Sequence, residues 1–205
     1  MVVATRSAHK MREIRRILTA VPELRVLDLD EAGVAYDPVE EGVEAFDTFE
    51  ANARAKAEYF HGRTSLPTVA DDSGLEVDAL DGAPGVWSKR FAPDEGLEGE
   101  ARDEANNRHL VRLLEGTPTS GRTARYVCVA VLAGMDPGRT VFRGEAPGVI
   151  LDHPRGRGGF GYDPYFFDPE LGKTFAEISR DEKNARSHRG RAFRALADTL
   201  GESHR

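Results

Sequence analysis

Cysteine is nearly absent from these 205 residues, which hold a single Cys128, one tryptophan and three methionines. A lone cysteine forms no internal disulfide, and a reducing compartment is expected. A basic excess is missing too: 28 Lys and Arg stand against 35 Asp and Glu, a formal net charge of −7. That argues against coating of nucleic acid and against anionic membrane surfaces, and leaves room for a local basic pocket. Long apolar runs are also lacking. The longest, roughly Val127 to Met135, is far too short to span a bilayer. No apolar core of signal-peptide length precedes the basic residues of MVVATRSAHKMREIRRIL. A cytoplasmic protein with no membrane and no nucleic-acid partner is expected. No repeat or low-complexity block occurs. What remains is a globular balance, 40% hydrophobic and 31% charged residues. A chain of this length buries roughly 70% of its extended surface and needs no disulfide or metal staple.

The periodicity predicts interleaved strands and helices, hence an α/β fold with a mixed sheet. Strands are expected at Val2–Ala4, Leu24–Leu29, Leu66–Ala70, Tyr126–Ala133, Thr140–Phe142 and Val149–Leu151. A helix with Met11, Ile14 and Leu18 on one face follows Ser7 as cap. A second is expected from Thr48 to about Phe60, opened by a capping box of Asp47 and Glu50. A third spans 100–114. A last helical segment begins at the capping box Ser179–Glu182 and carries Phe193, Leu196 and Leu200 as its apolar stripe. No linker divides the chain. Residues 1–200 read as one domain and 201–205 as a polar tail.

Five places carry candidate chemistry. Thr5 to Lys10 is a polar turn running into a helix N-terminus, where free N–H groups suit an anion. Lys10 in that first turn opposes the helix dipole unless an anion is bound, although a surface lysine after an ordinary cap looks the same. Asn52 and Lys56, four apart, share a helix face beside Phe49 and Phe60. A lysine snorkelling over the core edge is the plainer account. Asp71-Asp72-Ser73-Gly74 sets two carboxylates side by side at an expected strand end, where they repel unless cations or donors intervene. Hard oxygens of this kind suit Mg²⁺, and Glu40, Glu41 and Glu44 lie upstream to complete such a site. A capping turn would use one of those carboxylates, not both. Gly156 to Pro164 surrounds Phe160 and Tyr162 with four glycines, and an exposed aromatic there can stack on a base. Lys183 to Arg191 gathers Arg186, His188, Arg189 and Arg191, cations suited to phosphate, or simply a solvated helix face. A phosphate cradle, a carboxylate pair, an aromatic platform and a second basic cluster together describe a nucleoside-triphosphate site.

These segments, in this order and nearly end to end, resemble the noncanonical purine nucleoside-triphosphate pyrophosphatases, the inosine/xanthosine triphosphatase family. The resemblance rests on Thr5-Arg6-Ser7-Ala8-His9-Lys10, Thr48-Phe49-Glu50-Ala51-Asn52-Ala53 with Lys56, and Ala70-Asp71-Asp72-Ser73-Gly74-Leu75. Gly82-Ala83-Pro84-Gly85-Val86, Gly158 to Pro164, Glu182-Lys183-Asn184 and Ser187-His188-Arg189-Gly190 extend it. It implies a long bent mixed sheet with flanking helices, two lobes with the active-site cleft between them, and a homodimer. The implied reaction is Mg²⁺-dependent hydrolysis of dITP, ITP or XTP to monophosphate and pyrophosphate, which clears deaminated purines from the nucleotide pool. By position, Asp72 matches the general base and metal ligand, and Glu44 best matches the upstream acidic ligand. Lys56 is expected to act in catalysis. Thr5, Arg6, Ser7, Ala8, His9, Lys10 and Ser73 match phosphate and sugar contacts. Phe160, Gly161, Tyr162 and Asp163 match the base-binding loop, and Lys183, His188 and Arg189 the remaining base and phosphate contacts. Two positions depart from the family pattern: Ser7 replaces the usual Asn, and Phe46 stands where a glycine is usual, which keeps Glu40 and Glu41 in play beside Glu44. A pyrophosphatase for modified pyrimidine triphosphates, a nucleotide-binding module without turnover, and nucleic-acid binding through Arg12, Arg15 and Arg16 are the competing readings.

Overall fold

The computed structural model describes residues 1–93, 96–137 and 140–202. Among these, six strands form one sheet ordered as in the chain. They are β1 (Val2–Val3), β2 (Thr68–Val77), β3 (Thr123–Ala133), β4 (Val141–Ile150), β5 (Phe166–Asp168) and β6 (Lys173–Thr174). β1 runs parallel to β2, with Val2 opposite Thr68. β4, β5 and β6 pair antiparallel, so the sheet is mixed as expected. The helices are α1 (Ala8–Leu18), α2 (Phe49–Thr64), α3 (Gly99–Leu113), α4 (Arg180–Arg186) and α5 (His188–Glu202).

Capping sets several boundaries. Ser7 starts α1 by accepting from the Lys10 N–H, and Met11, Ile14 and Leu18 are buried on its inner face. Thr48, not Asp47, caps α2, its hydroxyl accepting from the Ala51 N–H at 3.2 Å, and the helix runs past Phe60 to Thr64. The Ser179–Glu182 box forms reciprocally: the Ser179 N–H donates to Glu182 Oε2 at 2.9 Å and the Glu182 N–H to Ser179 Oγ at 3.2 Å. The helix it opens breaks at Ser187, whose hydroxyl accepts from the Gly190 N–H at 3.0 Å and restarts the chain as α5. Gly201 and Glu202 belong to the end of α5 rather than to a tail, and residues 203–205 of the expected tail lie outside the described residues.

Three strand expectations change. Residues 24–29 make only an isolated parallel bridge, Leu27 to Val2, beside the two-residue β1. β2 does not stop at Asp71 but continues through Asp71, Asp72, Ser73 and Gly74. A carboxylate lies in a buried strand when cations neutralise it, and Asp71 has them. The two short strands expected at 140–142 and 149–151 are one strand, β4, with a regular alternation of burial from Phe142 to Ile150. Its interior glycines are sites of close approach, not turns. A Cβ on Gly144 would fall 2.6 Å from the Ala192 nitrogen of α5, and one on Gly148 would strike the Phe166 ring.

The described chain divides into two compact units. The first comprises the described residues of 1–73, 128–144 and 187–202, and its core packs Ile14 and Leu18 of α1 with Val69, Ala130, Phe142, Phe193, Leu196 and Leu200. The second comprises 74–127 and 145–186, centred on Leu75, Leu110, Tyr126, Ile150, Phe166 and Phe175. Each fully buried large apolar side chain contributes roughly 1.5–3 kcal/mol.

Candidate active site

In the first unit the strand that sets the site is β2. Side chains alternate along it, so consecutive carboxylates have different surroundings. Asp71 is 1% exposed. Its Oδ2 meets Lys10 Nζ at 3.1 Å, Arg189 Nε at 3.4 Å and the Cys128 thiol at 3.7 Å. Burial alone would push its carboxyl up, but the charges of Lys10, Arg189 and Lys56 more than reverse this, so it titrates well below the usual carboxylate range. Asp72 is held by two donors, Asn52 Nδ2 on Oδ2 at 3.0 Å and the Ser73 N–H on Oδ1 at 2.9 Å. Here burial dominates and raises the carboxyl pKa. Lys10 and Lys56 oppose the rise, and Glu44 adds to it.

α2 supplies the groups beside this pair. Asn52 and Lys56, one turn apart, both reach β2. Lys56 Nζ donates to the Asp71 carbonyl at 2.6 Å and to Glu44 Oε1 at 2.5 Å. Burial pulls the Lys56 pKa down, but Glu44 and Asp71 outweigh it, so the ammonium is kept. α5 supplies Arg189, 2% exposed, which joins Glu13 Oε2 at 2.6 Å and Ser73 Oγ at 2.9 Å as well as Asp71. Gly144 lets the first turn of α5, with buried His188 and Arg189, lie close on β4.

Of the three upstream acids, Glu44 alone among the described contacts joins this cluster. Glu40 is gripped by Arg6, through Nη2 at 2.7 Å and Nε at 3.0 Å, and Glu41 accepts from Tyr36 at 2.7 Å. Arg6 also reaches Asp30, so its guanidinium braces the 30–40 segment. Thr5 Oγ1 accepts from the Ser7 N–H at 3.1 Å, Ala8 opens α1, and exposed His9 pairs with Arg12 at 3.1 Å. Three cations (Lys10, Lys56, Arg189) therefore meet four carboxylates (Glu13, Glu44, Asp71, Asp72), with negative charge in excess. Among the described residues no three metal-ligating side chains gather. Two carboxylates with water and substrate oxygens making up the rest is how Mg²⁺ is commonly bound, so Glu44 and Asp72 fit that ion.

In the second unit the glycine-dense loop is built around Asp163, which is buried. Asp163 Oδ2 accepts from the Phe160 N–H at 2.8 Å and from Lys183 Nζ at 2.5 Å, and Oδ1 lies 3.4 Å from the Tyr126 hydroxyl. Gly159 has φ +75°, and a Cβ there would collide with the Asp163 carboxylate, so glycine is required. Lys183 stands 4.5 Å from the centre of the Phe160 ring, a cation–π contact. Tyr162 is anchored through its hydroxyl to the Ser88 carbonyl at 2.8 Å, and burial pushes its phenol pKa up. Phe160, Gly161, Tyr162, Asp163 and Lys183 are thus one constellation.

Residues missed from sequence were those acting behind the motifs. Glu13 and Cys128 gave no local signal, since an acid among helix arginines and a strand cysteine are ordinary. Asp71 was visible as half of a pair, but its separate role was not. No helix of the described residues is long and apolar enough to cross a membrane.

The Ham1 family model matches residues 1–199. A protein of Geobacter sulfurreducens described as a dITP/XTP pyrophosphatase is 48% identical over 201 residues, 98% of this chain and 96% of its own. One of Nitrosomonas europaea with the same description is 46% identical over 206 residues, 99% and 95% of the two chains. The Ham1 protein of Staphylococcus aureus superposes with a TM-score of 0.83 at 36% identity, covering 100% of this chain and 98% of that one. A HAM1 protein from Coxiella burnetii gives 0.83 at 36%, with 98% of each covered. With its ordered motifs, its mixed sheet and matches that run end to end, this chain belongs to the Ham1 family.

Proposed function

We propose that the protein hydrolyses noncanonical purine nucleoside triphosphates (dITP, ITP and XTP) to the monophosphate and pyrophosphate. The observation that carries the reading is the convergence of Lys10, Lys56 and Arg189 on the Asp71–Asp72 strand, with Glu44 alongside. The descriptions of its relatives as dITP/XTP pyrophosphatases support the substrate class. They do not favour a pyrimidine substrate or a binding module.

Asp72, fixed by Asn52 and Ser73, accepts the proton of the attacking water, and burial makes it a stronger base than a solvated carboxylate. Attack at the α-phosphorus releases pyrophosphate. Lys10 and Lys56 offer fixed positive charge to the phosphate chain, at little reorganisation cost because their partners already hold them. The N-terminus of α1, which Ser7 caps, carries the positive end of the helix dipole and suits a terminal phosphate. Asp72 and Glu44 would hold Mg²⁺, which supplies neutralisation of the charge growing on the leaving pyrophosphate. Phe160 stacks on the base, and Lys183 donates to a 6-oxo group that adenine lacks. The acidic total, −7, disfavours nucleic acid as partner. We infer further that the protein is a cytoplasmic homodimer.

The test is product identification from ITP, XTP, GTP and dUTP at equal concentration, with and without Mg²⁺. Pyrophosphate from ITP and XTP, dependent on the metal, is expected. Orthophosphate as product, or full rates in excess chelator, would overturn the proposal.

A further inference from the structure

The base loop is gripped by two side chains that no motif contains. Asp103 and Asn107 lie four apart on α3 and so share a face. Asp103 Oδ2 accepts from the Gly161 N–H at 2.8 Å, and Asn107 Nδ2 donates to the Gly161 carbonyl at 2.9 Å. The two bonds take hold of the peptide planes on either side of Gly161. One of those planes follows Phe160 and the other precedes Tyr162. Asp163 closes the rest of the turn through the Phe160 N–H, and the Asp163 N–H reaches back to the Phe160 carbonyl at 3.3 Å. Gly161 has φ +62° with open space where a Cβ would lie, so glycine serves its backbone conformation and not a close approach.

A second observation concerns Asn107 itself. It is 6% exposed, and its Oδ1 is buried with no partner among the described residues. Leaving a buried amide oxygen unsatisfied is unfavourable, so the bond from Nδ2 to the Gly161 carbonyl is what this amide contributes at its helix position.

We propose that Asp103 and Asn107 are positioning residues for base recognition: α3 holds the Gly161 backbone so that Phe160 presents its ring in one orientation. The inference rests on the reading that the 160–163 loop receives the base. It predicts that loss of the clamp weakens selection of the purine while leaving the phosphate machinery intact.

The experiment compares Asp103→Leu, Asp103→Asn, Asn107→Leu and Phe160→Ala with the wild type. It measures kcat and KM for ITP, inhibition by inorganic tripolyphosphate (a phosphate chain without a base), thermal melting, and amide exchange of the peptide holding Gly161. Asp103→Leu and Asn107→Leu should each raise KM for ITP roughly tenfold, the worth of one such bond. Their kcat should stay within about twofold and tripolyphosphate inhibition should be unchanged, with faster exchange at Gly161. Asp103→Asn keeps an acceptor oxygen and should restore KM. Asn107→Leu should melt within about 4 °C of the wild type while its KM rises and its tripolyphosphate inhibition holds, a split that a purely structural role would not give. Unchanged exchange at Gly161 would overturn the clamp. Faster exchange with unchanged KM, where Phe160→Ala raises KM, would overturn its role in recognition. If Phe160→Ala itself leaves KM unaltered, the base-loop reading fails and the inference falls with it. Equal losses for ITP and tripolyphosphate would mean general damage and also count against it.

Discussion

The carboxylate cluster of the first unit and the aromatic loop of the second are fixed by different means. Around Asp71 the anchors are mostly charges: Lys10 and Arg189 meet its carboxylate, Glu13 holds Arg189 and Glu44 holds Lys56, while Asp72 beside it is held by Asn52 and the Ser73 N–H. Around Phe160 the anchors are mostly backbone, with the N–H of residue 160 and both polar groups of Gly161 taken by Asp163, Asp103 and Asn107. Charge held in place stabilises charge that develops in a reaction. Backbone held in place orients a flat surface. Under the proposed function, the difference separates a part suited to reaction from a part suited to selection, and it sets how each should fail.

The sharpest break in this comparison is Asp72→Asn. It should lower kcat for ITP by roughly 10²- to 10⁴-fold, the usual worth of a general base, with binding largely retained in a titration with ITP. The acid limb of the rate has a definite sign. The base works deprotonated and burial raises its pKa, so activity should fall with decreasing pH above the ordinary carboxylate range of 3.8. In metal-free protein, carboxylate NMR should show Lys56→Met moving the Asp72 titration up and Glu44→Gln moving it down, because the lysine opposes the rise and the glutamate adds to it.

Asp71→Asn attacks stability instead. It leaves Lys10 and Arg189 without their shared counter-charge, and a broken buried pair costs about 3–5 kcal/mol, measurable by urea denaturation. Linkage agrees in sign. A carboxylate whose folded pKa is depressed stabilises the fold above its unfolded value of about 3.8, and that contribution is lost as pH falls below it. The variant should lack that acid dependence. Equal acid sensitivity in both proteins would show that Asp71 is not the group responsible.

Phe160→Ala should raise KM for ITP with little change in kcat, for a loss of about 1–3 kcal/mol of stacking. A fall in kcat with KM unchanged would erase the division between reaction and selection. The mildest change is Ser7→Ala, which removes the α1 cap and should cost about 1 kcal/mol of stability in a melting experiment.

Local patterns carried far. The α1 stripe, the Ser179–Glu182 box and the alternation of helix with strand follow from side-chain period and capping chemistry, which need no tertiary partner. Expectation failed where a neighbour overrode a local signal. Asp71 to Gly74 looks like a turn, yet it is strand because Lys10 and Arg189 neutralise the buried carboxylate. Gly144 and Gly148 look like a break between two strands, yet they let α5 and the Phe166 ring approach β4. Among the candidate residues, Asp72 and Lys56 of the first unit and the 160–163 loop of the second were legible as motifs. Glu13, Asp103 and Asn107 were not, because each acts on a residue distant in the chain.

Composition and motif order by themselves determined the α/β class, the residue types of the site and the family resemblance, because helix and strand periods and the chemistry of phosphate ligands are written in neighbouring residues. Only the tertiary structure decided that Glu44 rather than Glu40 or Glu41 stands with Lys56, and that the surroundings of two adjacent aspartates push their pKa values in opposite directions. The reason is physical: a carboxylate's proton affinity depends on burial and on charges within a few ångströms, and the chain's folding alone brings positions 10, 13, 56 and 189 that near to residue 71 or its hydrogen-bond partners.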